Sequence, residues 1–178
     1  MRKQIMKIMA VAFAICGFVT MLSAQEIEIP FMDKKYKSDE NFFRAVAYGK
    51  SPDMAMAKSL AMANGKKELA GYIETTIQSV LQSYTLQTEL NNEMDFGRET
   101  SEELKSVVKQ VLTNINTMAE KPIRSGNVIE YYVVVEVAKQ KVVEKMETML
   151  DKDGFELEKE KFEKVFDEEM RKYENGNE

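Results

Sequence analysis

Along residues 42–49, Phe43, Ala45, Ala47 and Gly49 alternate with Phe42, Arg44, Val46 and Tyr48. A period of two predicts a β-strand, here with mostly small residues on one face. From Ser51 the period changes. Met54, Ala57, Ala61, Met62, Gly65, Leu69, Tyr72, Ile73, Thr76 and Val80 fall on one side of a helix. Ser51 offers an N-cap, Pro52 suits the first helical position, and Asp53 favours the positive end of the helix dipole. Ala57, Ala61 and Gly65 stand four residues apart, a ridge of small side chains. That ridge predicts a helix lying tight on the small face of the strand, with Leu69, Tyr72 and Ile73 filling the wider end. Gly65 costs about 1 kcal/mol of helix propensity relative to Ala. Close approach is a better reason for it than a helix break at Asn64-Gly65.

Residues 74–90 fit two periods. Ile73, Ile77, Val80, Leu81 and Tyr84 continue the helix, favoured to about Tyr84, while the Thr-rich text also suits a strand. Residues 91–101 read as a loop. Ser101 then caps a helix over 102–112 with Leu104, Val107, Val108 and Val111 on its apolar side. A hairpin follows: a strand over 114–121, a turn from Pro122 to Asn127, and a strand over Val128–Ala138. In the second strand Tyr131, Val133, Val135 and Val137 share a face and Glu136 marks the other. A helix from Lys139 to about Asp151 points Val142, Val143, Met146 and Leu150 inward. Beyond it, Phe155, Phe162, Val165, Phe166, Met170 and Tyr173 recur at helical spacing among many charges. The fold class is therefore α+β: a small antiparallel sheet of about three strands packed against a long Ala-rich helix, with further helices and a C-terminal amphipathic helix.

The ends of the chain differ from its middle. Arg2, Lys3 and Lys7 precede an apolar run from Ile8 to Leu22, and Ser23-Ala24-Gln25 follows. That is the pattern of a secretory signal peptide at 1–24, cleaved after Ala24. The run falls short of the ~20 residues of a membrane span, though an uncleaved anchor is the alternative. Cys16 sits inside the apolar run, preceded by Phe13-Ala14-Ile15, and reads as an ordinary member of it rather than an acylation site. Residues 25–40 form a polar lead-in, with a short edge strand at Glu26–Ile29. The α+β domain covers 41–150 and the charged helical tail 151–178. The tail holds eleven acids against six bases.

Losing the leader removes three basic residues and no acid, which takes the net charge from −5 to −8. It also removes the one cysteine of a chain that has no His and no Trp. No Ser-His-Asp triad, thiol nucleophile or ordinary zinc site can then be assembled. "YGKS" at 48–51 resembles the end of a phosphate-binding loop, but Arg44 stands where its first glycine belongs. "DKDGFELEKE" resembles a calcium loop, but Gly154 occupies the fourth position rather than the sixth. No catalytic, cofactor or metal residue is assigned. A carboxylate pair is the remaining catalytic route, and none sits in a distinctive motif. The acidic balance, with bases interleaved among acids, argues against nucleic acid.

"FRAVAYGKS", the Ala-rich helix ending "KKELAGYI", "SVLQSYT" and "GNVIEYYVVVEV" together resemble the LPP-twenty lipoprotein family of the bacterial cell envelope, over roughly residues 42–138. That family is similar to the N-terminal domains of some flagellar outer-membrane accessory proteins. The resemblance implies a small α+β domain with an antiparallel sheet and a location in the periplasm or outer envelope. It carries no catalytic motif, and some members assemble into larger structures. The chain departs from the family in lacking a lipobox, so membrane association is expected only if it is lipidated. The expected function is an exported, non-catalytic envelope protein that binds a protein partner or a second copy of itself. The alternatives are a carboxylate-dependent hydrolase and a small-ligand carrier. Phe162, Phe166, Met170 and Tyr173, the apolar stripe of the tail, are the candidate interaction residues.

Overall fold

The computed structural model describes residues 29–88, 99–152 and 158–175, and within these not the side chains of 87–88, 99–102, 152 and 173–175. The expected leader at 1–24, Glu26–Glu28 of the expected edge strand, most of the expected 91–101 loop and Phe155 lie outside the described residues. A 3-10 turn at Lys34–Tyr36 leads into β1 (Phe42–Ser51), α1 (Met54–Thr88), α2 (Glu99–Val111), a second 3-10 turn at Leu112–Asn114, β2 (Asn116–Ser125), β3 (Val128–Ala138), α3 (Lys139–Lys152) and α4 (Lys159–Asn175). The three strands form one antiparallel sheet in the order β1-β3-β2. The α+β class with a long helix on a small antiparallel sheet is what the periodicity predicted.

The core is built on one face of the sheet. Phe43, Ala45 and Ala47 of β1 and Tyr131, Val133, Val135 and Val137 of β3 are buried on the face that α1 covers. From α1 come Ala57, Ala61, Leu69, Ile73, Ile77, Val80 and Tyr84. The small-residue ridge thus lies where close approach requires it. A Cβ on Gly65 would stand 3.0 Å from Val135 Cγ2. The helix runs unbroken through Asn64-Gly65 and past Tyr84 to Thr88, so the Thr-rich stretch is helix. Thr75, Thr76 and Thr85 give their hydroxyl hydrogens to the carbonyls of Gly71, Tyr72 and Leu81, which removes the polar cost of helical threonine. α2 and α3 pack together beside α1 through Leu104, Val107, Val108, Val142, Val143 and Met146.

Several boundaries differ from expectation. Ser51 ends β1, and the cap of α1 is Asp53, whose Oδ1 accepts the Met56 N–H at 2.8 Å. A carboxylate there satisfies an end donor and also meets the dipole. Met54 and Tyr72 were expected inside, but the helix phase leaves them half exposed. Ser101 lies within α2, which starts at Glu99, and so does not cap it. The hairpin turn is Gly126-Asn127 alone. Gly126 has φ +60°, at the position where a two-residue II′ loop takes glycine. Pro122 consequently lies inside β2.

The tail is part of the same core. Phe162 and Phe166 are fully buried and Met170 is 2% exposed. Phe166 meets Phe43 edge-on at 6.3 Å and Phe162 meets Tyr84 at 5.6 Å. The Tyr84 hydroxyl accepts the Glu158 N–H at 3.0 Å, which fixes the entry to α4. Buried Glu169 accepts hydrogen bonds from Ser83 Oγ at 2.8 Å and Lys172 Nζ at 2.6 Å. The stripe proposed as an interaction surface, Phe162, Phe166 and Met170, therefore covers its own core. Phe162 and Phe166 pack against Tyr84 of α1 and Phe43 of β1 and have no exposed surface to offer a partner. Tyr173's side chain lies outside the described residues.

Candidate interaction surface

Because β3 takes the middle of the sheet, β1 and β2 each keep a free edge. The two edges are finished differently. On β1, the Phe42 N–H donates to Asp39 Oδ1 at 2.9 Å, and its carbonyl accepts the Asp39 N–H at 3.0 Å. The Arg44 N–H donates to Ser38 Oγ at 2.9 Å, and the Ser38 hydroxyl lies 3.2 Å from the Arg44 carbonyl. Even-numbered residues of β1 therefore turn their backbone groups away from β3, as an antiparallel ladder requires. By that alternation Val46 and Tyr48 also point outward. Asn64 Nδ2 donates to the Tyr48 carbonyl at 2.8 Å. Among the described residues nothing pairs with the N–H or C=O of Val46, or with the N–H of Tyr48.

On β2 the same alternation applies. β3 gives its odd residues to β1, so its even residues bond β2 through Lys121↔Tyr132 and Ile123↔Glu130. Glu120, Pro122 and Arg124 are left facing out. Pro122 has no N–H to offer, charges flank it, and the register breaks between Thr117 and Ala119. These are the devices that keep a sheet edge from recruiting another strand. They also explain how a proline fits within this strand.

The unfinished part of β1 opens into a groove of about 360 Å³. Val46 forms its floor, with Phe31, Met32, Phe43, Tyr72 and Met170 as apolar walls. Met170 is thus the one proposed tail residue that the fold brings to this site. Exposed Tyr72 is explained as well, since it forms a wall of the groove rather than filling the core. A second hollow continues along β1 past Tyr48, between the strand and Asn64, Lys67 and Gly71 of α1.

An ion cluster closes one end. Arg44 donates from Nε to Glu136 Oε2 at 2.9 Å, from Nη1 to the Lys37 carbonyl at 3.0 Å, and from Nη1 to Asp39 Oδ2. Partial burial pushes the Asp39 carboxyl up, but Arg44 and the Asn41 and Phe42 amides outweigh it and hold it below the ordinary carboxylate value. A general acid needs a shift in the opposite sense. The cluster anchors the lead-in on β1. On the outer face Tyr48 stacks on Tyr132 at 5.5 Å, and Lys50 bonds Glu130 at 2.6 Å. Burial, then the hydrogen bond to Glu130, raises the Tyr132 phenol above its ordinary value.

Periodicity alone missed this edge, though a signal was present. "YYVVV" at 131–135 is apolar without a break, and Val134 on the face away from α1 is fully buried. Such a run marks a central strand. The alternating Phe42–Ser51 then has to lie at an edge. Among the described residues no group of His, Cys, Asp and Glu is placed to hold a metal ion, and no helix is long and apolar enough to cross a membrane. Comparison with protein-family models, with curated proteins and with solved structures found no match to this chain.

Proposed function

We propose that this chain is an exported, non-catalytic protein of the bacterial cell envelope that acts by protein–protein interaction, taking an extended segment onto the free edge of β1. The observation that carries the reading is Val46. Its N–H and C=O have no partner among the described residues and lie at an apolar groove, on an edge that Asp39 and Ser38 close on one side and Asn64 closes in part at the Tyr48 carbonyl. One residue of an added antiparallel strand takes both groups, and its side-chain neighbours enter the groove. The leader pattern and the LPP-twenty resemblance of residues 42–138 support the envelope location. Photo-crosslinking in the native host tests the reading. A benzophenone residue replacing half-exposed Tyr48 should give adducts with another chain, while one replacing exposed Thr113 should not. Equal yields from both positions, or none from position 48, would defeat it.

The volume of the groove also favours a small-ligand carrier, since ligand sites begin at about 300 Å³. The two readings differ at the backbone. An added strand protects the Val46 amide from exchange, whereas an apolar ligand leaves it unpaired.

A further inference from the structure

We infer that the segment taken by the β1 edge is β1 of a second copy, paired antiparallel about a two-fold axis at Tyr48. The inference rests on the strand-addition reading of the same edge and names the occupant. The open stretch of the edge is longer than Val46, and it is symmetric. The Asn41 carbonyl accepts the Lys139 N–H at 2.8 Å, so odd-numbered residues turn toward β3, and Val46, Tyr48 and Lys50 turn outward. Like Val46, Lys50 has no partner for its backbone N–H or C=O among the described residues. Ser38 bounds the stretch at Arg44, and β1 itself ends at Ser51. Setting Tyr48 opposite Tyr48 of a second copy sets Val46 opposite Lys50 and Lys50 opposite Val46. Each of these pairs exchanges two hydrogen bonds. The Tyr48 carbonyl takes its new bond on the lone pair that Asn64 leaves. The second copy's Ser51 then lies opposite Ala45, so its strand ends just short of the residue where Ser38 closes the edge.

The same axis brings complementary surfaces together. α1 begins at Met54, three residues after Ser51, so the second copy's first helical turn reaches the groove beside Phe43 and Arg44. That turn carries Met54, 50% exposed, and Met56, 55% exposed, toward the apolar walls Phe31, Met32 and Tyr72. Charge agrees too. Exposed Asp53 of the second copy arrives at the basic run Lys34, Lys35 and Lys37. Along the paired strands each base already has its own carboxylate, Arg44 with Asp39 and Glu136, and Lys50 with Glu130. The occupant is a second copy rather than a free peptide because its β1 is already extended, whereas a peptide must give up backbone freedom to become so. A two-fold pairing also closes on itself. The joined sheet runs β2-β3-β1-β1-β3-β2, and both of its outer edges are the guarded edge of β2.

Cysteine pairing on residues 25–178, which hold every described element and no natural cysteine, tests the register. Tyr48→Cys places two Cα atoms about 5.5 Å apart across the axis, within disulfide reach, so mild oxidation should give a covalent dimer. Lys50→Cys alone lies about 14 Å along the strand from its own copy and should stay monomeric. An equal mixture of Val46→Cys and Lys50→Cys should give the mixed disulfide. Sedimentation reads the pairing without a crosslink. The parent should have twice the mass of Val46→Pro and of Met56→Lys, and circular dichroism should show the parent fold in both. Proline at an outward edge position removes no ladder bond, as at Pro122, and Met56 is exposed in the single chain. A Lys50→Cys dimer as abundant as that of Tyr48→Cys, a dimer that survives both substitutions, or a parent that sediments as one chain at every concentration would overturn the inference. After such a result, a crosslink from position 48 to a different protein in the host would leave strand addition standing, and the absence of any crosslink would remove both.

Discussion

Three glycines of this fold face three different surroundings, and replacing each with alanine measures how closely α1 lies on the sheet. A Cβ at Gly49 of β1 would stand 2.4 Å from the Ala57 carbonyl oxygen, 2.5 Å from the Ala61 nitrogen and 2.7 Å from Leu60 Cβ. Two of these obstacles are helix backbone, which cannot rotate away. The first turns of α1 must lift off the strand, so Gly49→Ala belongs at the upper end of the 1–3 kcal/mol typical of overpacking, ~2–3 kcal/mol. At ~2–4 °C per kcal/mol for a chain of this size, the melting temperature should fall by roughly 5–10 °C. Gly71 lies on the exposed side of α1, where an added Cβ would meet nothing within 4 Å. Gly71→Ala should gain helix propensity of about 1 kcal/mol and raise the melt by ~2–4 °C. Gly65 sits between these cases. The propensity gain there opposes a 3.0 Å contact with fully buried Val135, so the change should stay within about 1 kcal/mol of zero. Thermal melts followed by circular dichroism in the helical band read all three. Intrinsic preference alone predicts that alanine stabilises every site. A Gly49→Ala protein that melts with the parent would refute the described contact between β1 and α1.

Ala61→Leu should cost about 1–3 kcal/mol because Ala61 is fully buried against β1, whereas Met56→Leu, 55% exposed, should be near neutral; urea titration separates them. Phe166→Ala should cost about 3–5 kcal/mol by chemical denaturation, since Phe166 is fully buried against Phe43 and Phe162. A chain ending at Asp151 should likewise lose stability rather than merely change its sedimentation. Asp39, whose folded-state carboxyl titrates below its ordinary value, contributes stability that is present above that value and lost as the pH falls through the lowered one. Asp39→Asn should therefore flatten the acid limb of the stability curve below about pH 4 while changing little of its shape near neutrality, as melts across a pH series would show.

The large elements were legible because each carries a long periodic signal. Phe42–Ser51 and Val128–Ala138 alternate, the ridge Ala57-Ala61-Gly65 announces its own neighbour, and Val107, Val108, Val142 and Met146 mark two amphipathic helices. The errors fell where short-range chemistry has two solutions. "SPD" offers two capping residues within three positions, and the strand extended through Ser51 and left the cap to Asp53. Pro122 reads as a turn residue until the strand order is known. Once β2 is an edge with its even-numbered positions facing out, a proline there loses no ladder bond. The tail was ambiguous for a different reason. An apolar stripe on a charged helix looks the same whether it covers its own core or another molecule. What decides between them is Phe43, 123 residues before Phe166 in the chain, which needs a ring against it.

The candidate site was hidden because it is made of backbone. Many catalytic sites announce themselves in residue types such as His and Cys, and this chain has no His and a single cysteine, Cys16. A strand edge has no residue type of its own. Val46 is unremarkable as text, and becomes significant only when its neighbours on the edge are seen to be satisfied by Asp39, Ser38 and Asn64. The contrast with β2 gives that window its meaning. One edge carries a proline, flanking charges and a register break, all of which discourage pairing. The other is closed by specific side chains on either side of an apolar opening. A sheet that guarded both edges equally would suggest protection from aggregation alone. A sheet that guards one edge and leaves the other open beside an apolar groove favours pairing at one place, and in this fold that place is Val46, in the groove that Phe31 also lines.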